Sequence, residues 1–344
     1  MSRVLKISIG SLVTSVVALA ALAIQVNLFL TSPVTVPEDG AQLIIESGSA
    51  FRQVSTTLGA RDIISHPTYF RLYARLTAKA SSVQAGEYLI ESGTTPASLL
   101  DMFVSGDVKL YAFTIVEGWT FGELLVALSE DPVIEKTIRY EDWPALLESI
   151  GAEEAHPEGL FLPETYHFPR GTHDQDILQQ SYRLMQEVLA AEWDRRSENL
   201  PLRSSYEALV LASIVEKETA LTPERPQIAG VFIRRLLNGM RLQTDPTVIY
   251  GIGQRFDGNL TRRDLRTDTP YNTYTRDGLP PTPIALAGRA AIRASLHPAD
   301  GTAFYFVATG LGDGSHQFSD TKEQHDKAVR EYLARQRATR NISE

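Results

Sequence analysis

Two glutamates close an apolar stretch of the chain, and their residue type could carry acid–base chemistry. Glu216 and Glu218 flank Lys217 and follow the apolar residues of 208–215. A carboxyl held among apolar neighbours has a raised pKa, because burial disfavours its charged form. Such a group suits general acid catalysis near neutral pH. The ordinary alternative is a pair of solvated surface residues at a helix end, and spacing alone favours that alternative.

The element that must position these acids is predicted from its ends. Ser204 and Glu207 form a Ser-x-x-Glu capping box, which predicts a helix over 205–218. Its residues are apolar nearly all round, so we expect the helix to be buried.

The two acids of this helix must face apart. Residues two apart on a helix are rotated by about 200°. Glu218 continues the apolar face of Leu211, Ile214 and Val215, whereas Glu216 continues a smaller and more polar one. Glu218 is therefore the favoured general acid.

Two loop-rich segments gather the polar and aromatic side chains that sugars bind. The first spans 241–250 and the second 271–283, and their candidate binding residues are Gln243, Asp245, Thr247, Tyr250, Asn272 and Tyr274. The alternative is turn chemistry, since Asp-Pro, Asp-Gly and Asn-Thr sequences simply build loops. From the residues alone, turn chemistry is the stronger interpretation.

Composition excludes several classes of function. The 344 residues suggest more than one domain, and a net charge of -9 excludes non-specific nucleic-acid binding. The absence of cysteine excludes thiolate zinc sites and cysteine nucleophiles. The seven histidines form no His-Glu-x-x-His spacing, so no metal is expected. His316 is either a turn residue or a supporting group of a site.

The N-terminus predicts a membrane anchor over 1–32. Arg3 and Lys6 precede 24 uncharged residues, 7–30, enough to cross a hydrocarbon core of about 30 Å. The positive-inside rule puts the N-terminus in the cytoplasm and the rest of the chain outside. A cleaved signal peptide is the alternative, since Ala18-Leu19-Ala20 resembles a cleavage site.

Element patterns beyond the anchor predict an α+β protein. A strand-helix-helix-strand unit falls within 33–108, and 110–118 alternates as a half-buried strand. We expect a packed loop over 158–169, a helix capped by Thr222 with Pro223 in its first turn, a loop-rich region over 243–297 and a strand over 303–308.

Several motifs together resemble one known family. The segments 158–166, 212–219, 242–250, 271–274 and 278–281, with His316 and Phe318, closely resemble the endolytic murein transglycosylase (YceG-like) family, in the same order along the chain. The resemblance implies a LysM-like βααβ module over 33–108 and an α+β catalytic domain over 109–340. It also implies that Glu218 is the catalytic residue, which agrees with the face argument.

The resemblance further implies the reaction and its setting. Such enzymes are lyases of the EC 4.2.2 class that cut the MurNAc–GlcNAc β-1,4 bond inside nascent peptidoglycan strands. They leave 1,6-anhydro-MurNAc ends and terminate strand elongation. They are single-pass inner-membrane proteins, expected to need no cofactor and to cooperate with penicillin-binding synthases. Glu164 is a candidate second carboxyl, with a loop anchor as the equal alternative.

Three rival functions stay open at this point. One is a non-catalytic scaffold that binds the cell wall, and another is a hydrolase that leaves reducing ends. The third is a pyridoxal-phosphate lyase, against which the predicted anchor argues.

Overall fold

The computed structural model describes residues 3–343. Met1 and Ser2, which begin the predicted cytoplasmic segment, lie outside the described residues. The chain divides into two compact units, the first comprising residues up to Tyr111 together with His167–Gly171 and the second comprising Ala112–Tyr166 and the chain from Thr172 onward. The identity of these units as a LysM-like module and a catalytic domain stays a prediction.

The first unit starts with a long apolar helix, α1 (Arg3–Thr31). Its segment Leu12–Thr31 has a mean hydropathy of 2.1 and is almost entirely unburied, so it is long and apolar enough to cross a membrane. The elements that follow are β1 (Ala41–Ile45), α2 (Phe51–Ala60), α3 (Pro67–Leu76), β2 (Gly86–Ile90) and α4 (Pro96–Ser105). The strand-helix-helix-strand order agrees with the sequence prediction.

Alternating side chains of the β1–β2 pair form the core of the first unit. The strands are antiparallel, with Leu43 opposite Tyr88. Tyr88 is fully buried and packs edge-on against Phe103 of α4, with ring centroids 4.8 Å apart. Phe29, from the last turn of α1, belongs to the same core.

A second pair of strands, β3 (Leu110–Thr114) and β4 (Thr165–Pro169), forms another sheet. The prediction of a loop throughout 158–169 is therefore wrong at its end. Tyr166 and Phe168 are buried while their neighbours are not, which is the period-two pattern of a half-buried strand. Pro163 lies before this strand and Pro169 at its end, where a missing N–H does not interrupt the backbone hydrogen bonds in the middle of the strand.

The second unit is mainly helical. Its elements are α5 (Phe121–Glu130), α6 (Trp143–Ser149), α7 (Asp174–Asp194), α8 (Ser205–Glu218), α9 (Arg225–Leu237), α10 (Asp245–Ile252), α11 (Arg289–Leu296), β5 (Tyr305–Ala308), β6 (His316–Ser319) and α12 (Lys322–Ser343). Short 3-10 turns occur at Tyr140–Asp142, Thr222–Glu224, Gly253–Arg255 and Asp264–Arg266.

Helix α8 lies at the centre of this unit and has the predicted bounds. It packs against α7, α9, α10 and α11, and all its residues from Ala208 to Val215 are buried. Ser204 caps it by accepting the Glu207 N–H, but the Glu207 carboxylate accepts the N–H of Arg203 instead of that of Ser204. The predicted capping box is thus only half formed.

The structure refines three other local predictions. Thr222 begins a 3-10 turn, and α9 starts only at Arg225, with Pro226 in its first turn, where a missing N–H costs nothing. The segment 243–297 is loop-rich, as predicted, but it also contains the two short helices α10 and α11, of which α10 starts at Asp245-Pro246. His316 opens strand β6, which pairs antiparallel with β5.

Candidate active site

A cavity of about 290 Å³ opens at the C-terminal end of α8. Each lining residue belongs to the second unit: Glu218, Phe232, Arg235, Leu242, Gln243, Thr244, Asp245, Tyr274, Tyr305, Phe306, Lys322 and His325. The cavity therefore brings together four of the predicted site residues, namely Glu218, Gln243, Asp245 and Tyr274. We call it the Glu218 pocket.

The Glu218 carboxyl is held in a setting that favours its protonated form. Burial raises its pKa to about 7, and the negative charge of Asp245 acts in the same direction. The Thr244 hydroxyl, which donates a hydrogen bond to Glu218 Oε1, and the Arg235 guanidinium oppose this rise. A carboxyl with this pKa can give up a proton and take it back near neutral pH.

Buried threonines hold the Thr244 hydroxyl in place. The Thr244 N–H donates to Thr273 Oγ1 over 3.1 Å, and Thr247 Oγ1 donates to the Thr244 carbonyl over 2.8 Å. The hydroxyls of Thr247 and Thr273 are 2.9 Å apart and share a hydrogen bond. Thr247 is fully buried, so in this structure it supports Thr244 and does not reach the pocket.

Gln243 lines the pocket from a backbone conformation that is unusual for its type. Its φ is +50°, in the left-handed region, and its N–H donates to the Thr273 carbonyl over 3.2 Å. A non-glycine residue in this region is strained, and such strain clusters at functional sites. The conformation keeps the Gln243 side chain exposed at the wall of the pocket.

Asp245 and Tyr274 form a second polar pair in the pocket. The Tyr274 hydroxyl donates to Asp245 Oδ1 over 2.5 Å. Burial, followed by this hydrogen bond, raises the pKa of Tyr274, so its hydroxyl stays protonated. Asn272 is 1% exposed and accepts the Tyr274 N–H at 2.9 Å, while its amide donates to three loop carbonyls. Asn272 therefore positions Tyr274 from behind.

Like Thr247 and Asn272, the predicted residues Tyr250 and Glu164 are absent from the pocket lining. Tyr250 donates its hydroxyl to Glu158 over 3.0 Å and packs edge-on against Tyr271. Glu164 forms a partly exposed ion pair with Arg289, at 2.8 Å. The geometry favours the loop-anchor interpretation of Glu164 over that of a second carboxyl.

Glu216 faces away from Glu218, as helix geometry requires. Its side chain is 4% exposed and pairs with Arg225 at 2.5 Å, while Oε2 accepts the N–H of Gly288 at 3.0 Å. Burial raises the pKa of Glu216, and the Gly288 N–H and Arg225 oppose that rise. Since Arg225 begins α9 and Gly288 precedes α11, Glu216 joins the starts of two helices and has a structural role.

Sequence reasoning missed the opposite wall of the pocket. Arg235 donates to the carbonyls of Phe304 and Leu242 and lies over the Tyr305 ring. The His325 ring stacks on the same Tyr305 ring, with ring centroids 5.2 Å apart. Arg235 interrupts the apolar stripe of α9, which was the one available signal. No spacing in the sequence relates β5 or α12 to Glu218.

His316 supports this wall from outside the pocket. Its Nδ1 lies 2.7 Å from Glu224, and its ring packs edge-on against Phe306, which lines the pocket. His316 therefore lies in a strand and not in a turn, and whether it supports the site stays a prediction. Within residues 3–343, no three His, Cys, Asp or Glu side chains are grouped so that they could hold a metal ion.

Comparisons with known proteins agree on one family. The model of the YceG-like family matches residues 43–331. The endolytic murein transglycosylase of Bacillus subtilis strain 168 is 31% identical over 309 residues, which cover 84% of each chain. The protein of the same name from Streptococcus pneumoniae D39 is 27% identical over 324 residues, and the match spans 84% of this chain and 58% of that one.

A solved structure gives a further match. The crystal structure of a YceG-like protein from Listeria monocytogenes is 27% identical, with 85% of this chain and 99% of that chain covered and a TM-score of 0.49. The family match over 43–331 and the identity with the Bacillus protein carry the assignment without it. This chain belongs to the YceG-like family.

Proposed function

We propose that this protein is an endolytic peptidoglycan lytic transglycosylase with Glu218 as its general acid and base. The observation that carries the proposal is one enclosed carboxyl, with a pKa of about 7, at the wall of a polar and aromatic pocket. Family relatives named endolytic murein transglycosylases support the same reaction. The substrate is the MurNAc–GlcNAc β-1,4 bond within a glycan strand.

The first step is cleavage of the glycosidic bond. Protonated Glu218 gives its proton to the glycosidic oxygen, and the bond from that oxygen to the MurNAc anomeric carbon breaks. Both electrons of the bond go to the oxygen, so GlcNAc leaves with a free 4-hydroxyl. Positive charge then develops on the MurNAc ring in an oxocarbenium-like state.

The second step returns the proton to the same residue. The Glu218 carboxylate takes the proton of the MurNAc 6-hydroxyl while that oxygen attacks the anomeric carbon. A 1,6-anhydro ring closes, and Glu218 is protonated for the next cycle. No water is consumed, so a single carboxyl suffices for both proton transfers.

Neighbouring groups prepare these steps. The Thr244 hydroxyl orients the Glu218 carboxyl, and the buried threonine pair fixes Thr244. Asp245, held by the Tyr274 hydroxyl, contributes negative charge for the oxocarbenium-like state. Gln243 offers an amide to substrate hydroxyl or acetamido groups. Phe306, which also lines the pocket, offers aromatic surface for the C–H groups of a sugar.

Two predicted binding residues receive indirect roles in this proposal. Thr247 and Asn272 are enclosed, so they position Thr244 and Tyr274 and do not contact sugar. Tyr250 and Glu164 stay untested as substrate contacts, because neither lines the Glu218 pocket. They would have to bind a more distant part of the strand.

The cellular setting completes the proposal. Helix α1 anchors the chain in the inner membrane as a single span, with the N-terminus cytoplasmic and the remainder periplasmic. The β1-α2-α3-β2 segment acts as a LysM-like glycan-binding module. Cutting nascent strands near the membrane terminates their elongation, and penicillin-binding synthases are the expected partners.

Product analysis tests the reaction directly. The full chain in detergent is incubated with purified glycan strands, and the ends are identified by mass spectrometry. We expect internal cuts with 1,6-anhydro ends, absent with Glu218→Gln. A hydrolase would give reducing ends heavier by one water. Unchanged strands with the wild-type protein would instead indicate a wall-binding scaffold.

A further inference from the structure

A crevice of about 340 Å³ lies in the first unit, between the end of α1 and the segments that pack on it. Gln25, Leu28 and Phe29 form its helix side, and Ile63, Ser65 and Tyr69 are among the residues that face them. We call it the α1 crevice. It shares no residue with the Glu218 pocket.

The depth of this crevice follows from the helix. The uncharged stretch starts at Ile7, and a hydrocarbon core of about 30 Å takes up about 20 residues at 1.5 Å each. The core therefore ends near residue 26, where the polar residues Gln25 and Asn27 interrupt the apolar sequence. The crevice residues at the end of α1, Gln25, Leu28 and Phe29, and Ser32 just beyond it lie at the level of the lipid head groups.

The crevice is fixed at that level because the helix is built into the folded unit. Phe29 is 9% exposed and packs edge-on against His66 and Tyr69, whose rings stack 4.9 Å apart. The exit segment is pinned by Val34 N–H to Thr94 O at 2.7 Å and by Thr35 N–H to Ile63 O at 3.0 Å. The helix end and its unit therefore move together.

The lining of the crevice is amphipathic, with apolar walls and polar side chains. Leu28, Phe29, Ile63 and Ile64 give it apolar walls, while Gln25, Ser32, Thr35, Ser65 and His66 give it hydrogen-bonding groups. No carboxylate, ammonium or guanidinium group occurs among the described lining residues. Aromatic residues with a polar atom, such as Tyr69, are typical of the membrane–water interface.

We propose that the α1 crevice binds the head-group and glycerol end of one bilayer phospholipid. The occupant follows from position, because Leu28 is 58% exposed on the outer face of α1 and lines the crevice. Lipid that surrounds α1 at this depth contacts the crevice directly. The apolar walls contact the first methylenes of an acyl chain, and the polar groups bind the ester and head-group oxygens.

The consequence is a fixed height for the first unit above the bilayer. A lipid bound between α1 and the facing segments would hold the first unit against the membrane surface. The inference depends on the proposed membrane anchor and not on the proposed reaction. It assigns the end of α1 a function beyond that of a flexible tether.

Single-cysteine spin labels test the proposal, since the chain has no native cysteine. The full chain carries Ser65→Cys or Ser32→Cys, both near-isosteric changes at exposed crevice positions. It is placed in phospholipid nanodiscs that contain a fraction of nickel-chelating head-group lipid. Gln53→Cys, exposed on α2 of the same unit, is the matched control, and Leu19→Cys reports on the span.

Relaxation of each label by oxygen, by aqueous nickel and by head-group nickel is measured by electron paramagnetic resonance. We expect the two crevice labels to be relaxed several-fold more by head-group nickel than the Gln53 label, and several-fold less by aqueous nickel. Crevice labels that match Gln53, with Leu19 lipid-immersed, would overturn the lipid site and leave the anchor standing. A water-accessible Leu19 label would overturn both, and the transglycosylase proposal would be unaffected by either result.

Discussion

Replacing Glu218 by glutamine should abolish cleavage and at the same time stabilise the protein at alkaline pH. The second effect follows from the raised pKa of the buried carboxyl. Glutamine has the same shape, can accept the Thr244 hydrogen bond and never ionises. It therefore removes the cost of burying a charge without opening a cavity.

The magnitude and sign follow from proton linkage. In the folded state the pKa of Glu218 is about 7, against an ordinary value of 4.5. Below pH 4.5 the carboxyl is neutral in both states, so it affects stability little. Between pH 4.5 and 7 the unfolded state loses its proton first, and stability falls as pH rises. Above pH 7 the full cost applies, which is about 3 kcal/mol at 1.36 kcal/mol per pKa unit.

The assay is urea unfolding of the second unit in the full chain, in detergent, at pH 4.5 and pH 8. We expect Glu218→Gln to raise the unfolding free energy by about 3 kcal/mol at pH 8 and by little at pH 4.5. An equal gain at both pH values, or a loss at pH 8, would refute the reasoning from a desolvated acid.

Glu158→Gln is the matched control. Glu158 is 3% exposed, its pKa is also raised to about 7 by burial, and it lies outside the Glu218 pocket. Its replacement should alter stability over the same pH range. The wild-type rate should fall about tenfold per pH unit above pH 7, as a general acid with that pKa requires, and Glu158→Gln should keep this profile.

Three further changes test other parts of the structure. Thr244→Val removes the hydrogen bond that lowers the pKa of Glu218, so the alkaline limb of the rate profile should move to higher pH, and Thr244→Ser should restore it. Glu216→Ala removes the Arg225 ion pair and the acceptor for the Gly288 N–H and leaves Arg225 with Glu117 alone, so thermal unfolding should show a loss of about 2–4 kcal/mol with the cleavage profile retained once folded. The pKa of Glu87 is lowered to about 2, mainly by Arg170, so this carboxylate should stabilise the first unit by up to about 3 kcal/mol above pH 4.5. Unfolding measurements should show that this contribution is lost as pH falls towards 2 and is absent in Glu87→Gln.

Local signals in the sequence were sufficient for α8 and its two acids. Ser204 marks the start, the apolar residues that follow predict burial, and a rotation of about 200° separates Glu216 from Glu218 whatever surrounds them. These three features depend on residues within one helix. The raised pKa of Glu218 also depends on groups outside that helix, namely Thr244, Asp245 and Arg235.

The surroundings of Glu218 could not be predicted in this way. Arg235, Tyr305 and His325 reach the pocket from α9, β5 and α12, and only tertiary packing brings them there. The sequence does not reveal helix α10, because Asp-Pro is typical of turns and proline is equally suited to the first turn of a helix. The polar residues predicted from the sequence therefore include some that line the pocket and some that only support those residues. Thr247 and Asn272 are buried and belong to the second group.

The two carboxyls of the pocket have different surroundings, and this difference assigns their roles. Glu218 is half-buried and accepts one hydroxyl hydrogen bond, whereas Asp245 is exposed and accepts the hydroxyl of Tyr274. Only the less exposed carboxyl is suited to hold a proton near neutral pH. In the proposed reaction the same group gives the proton and takes it back, so no position for an activated water is needed beside it. A pocket with one such acid favours ring closure by the MurNAc 6-hydroxyl over hydrolysis, and an anhydro end is the product that this arrangement predicts.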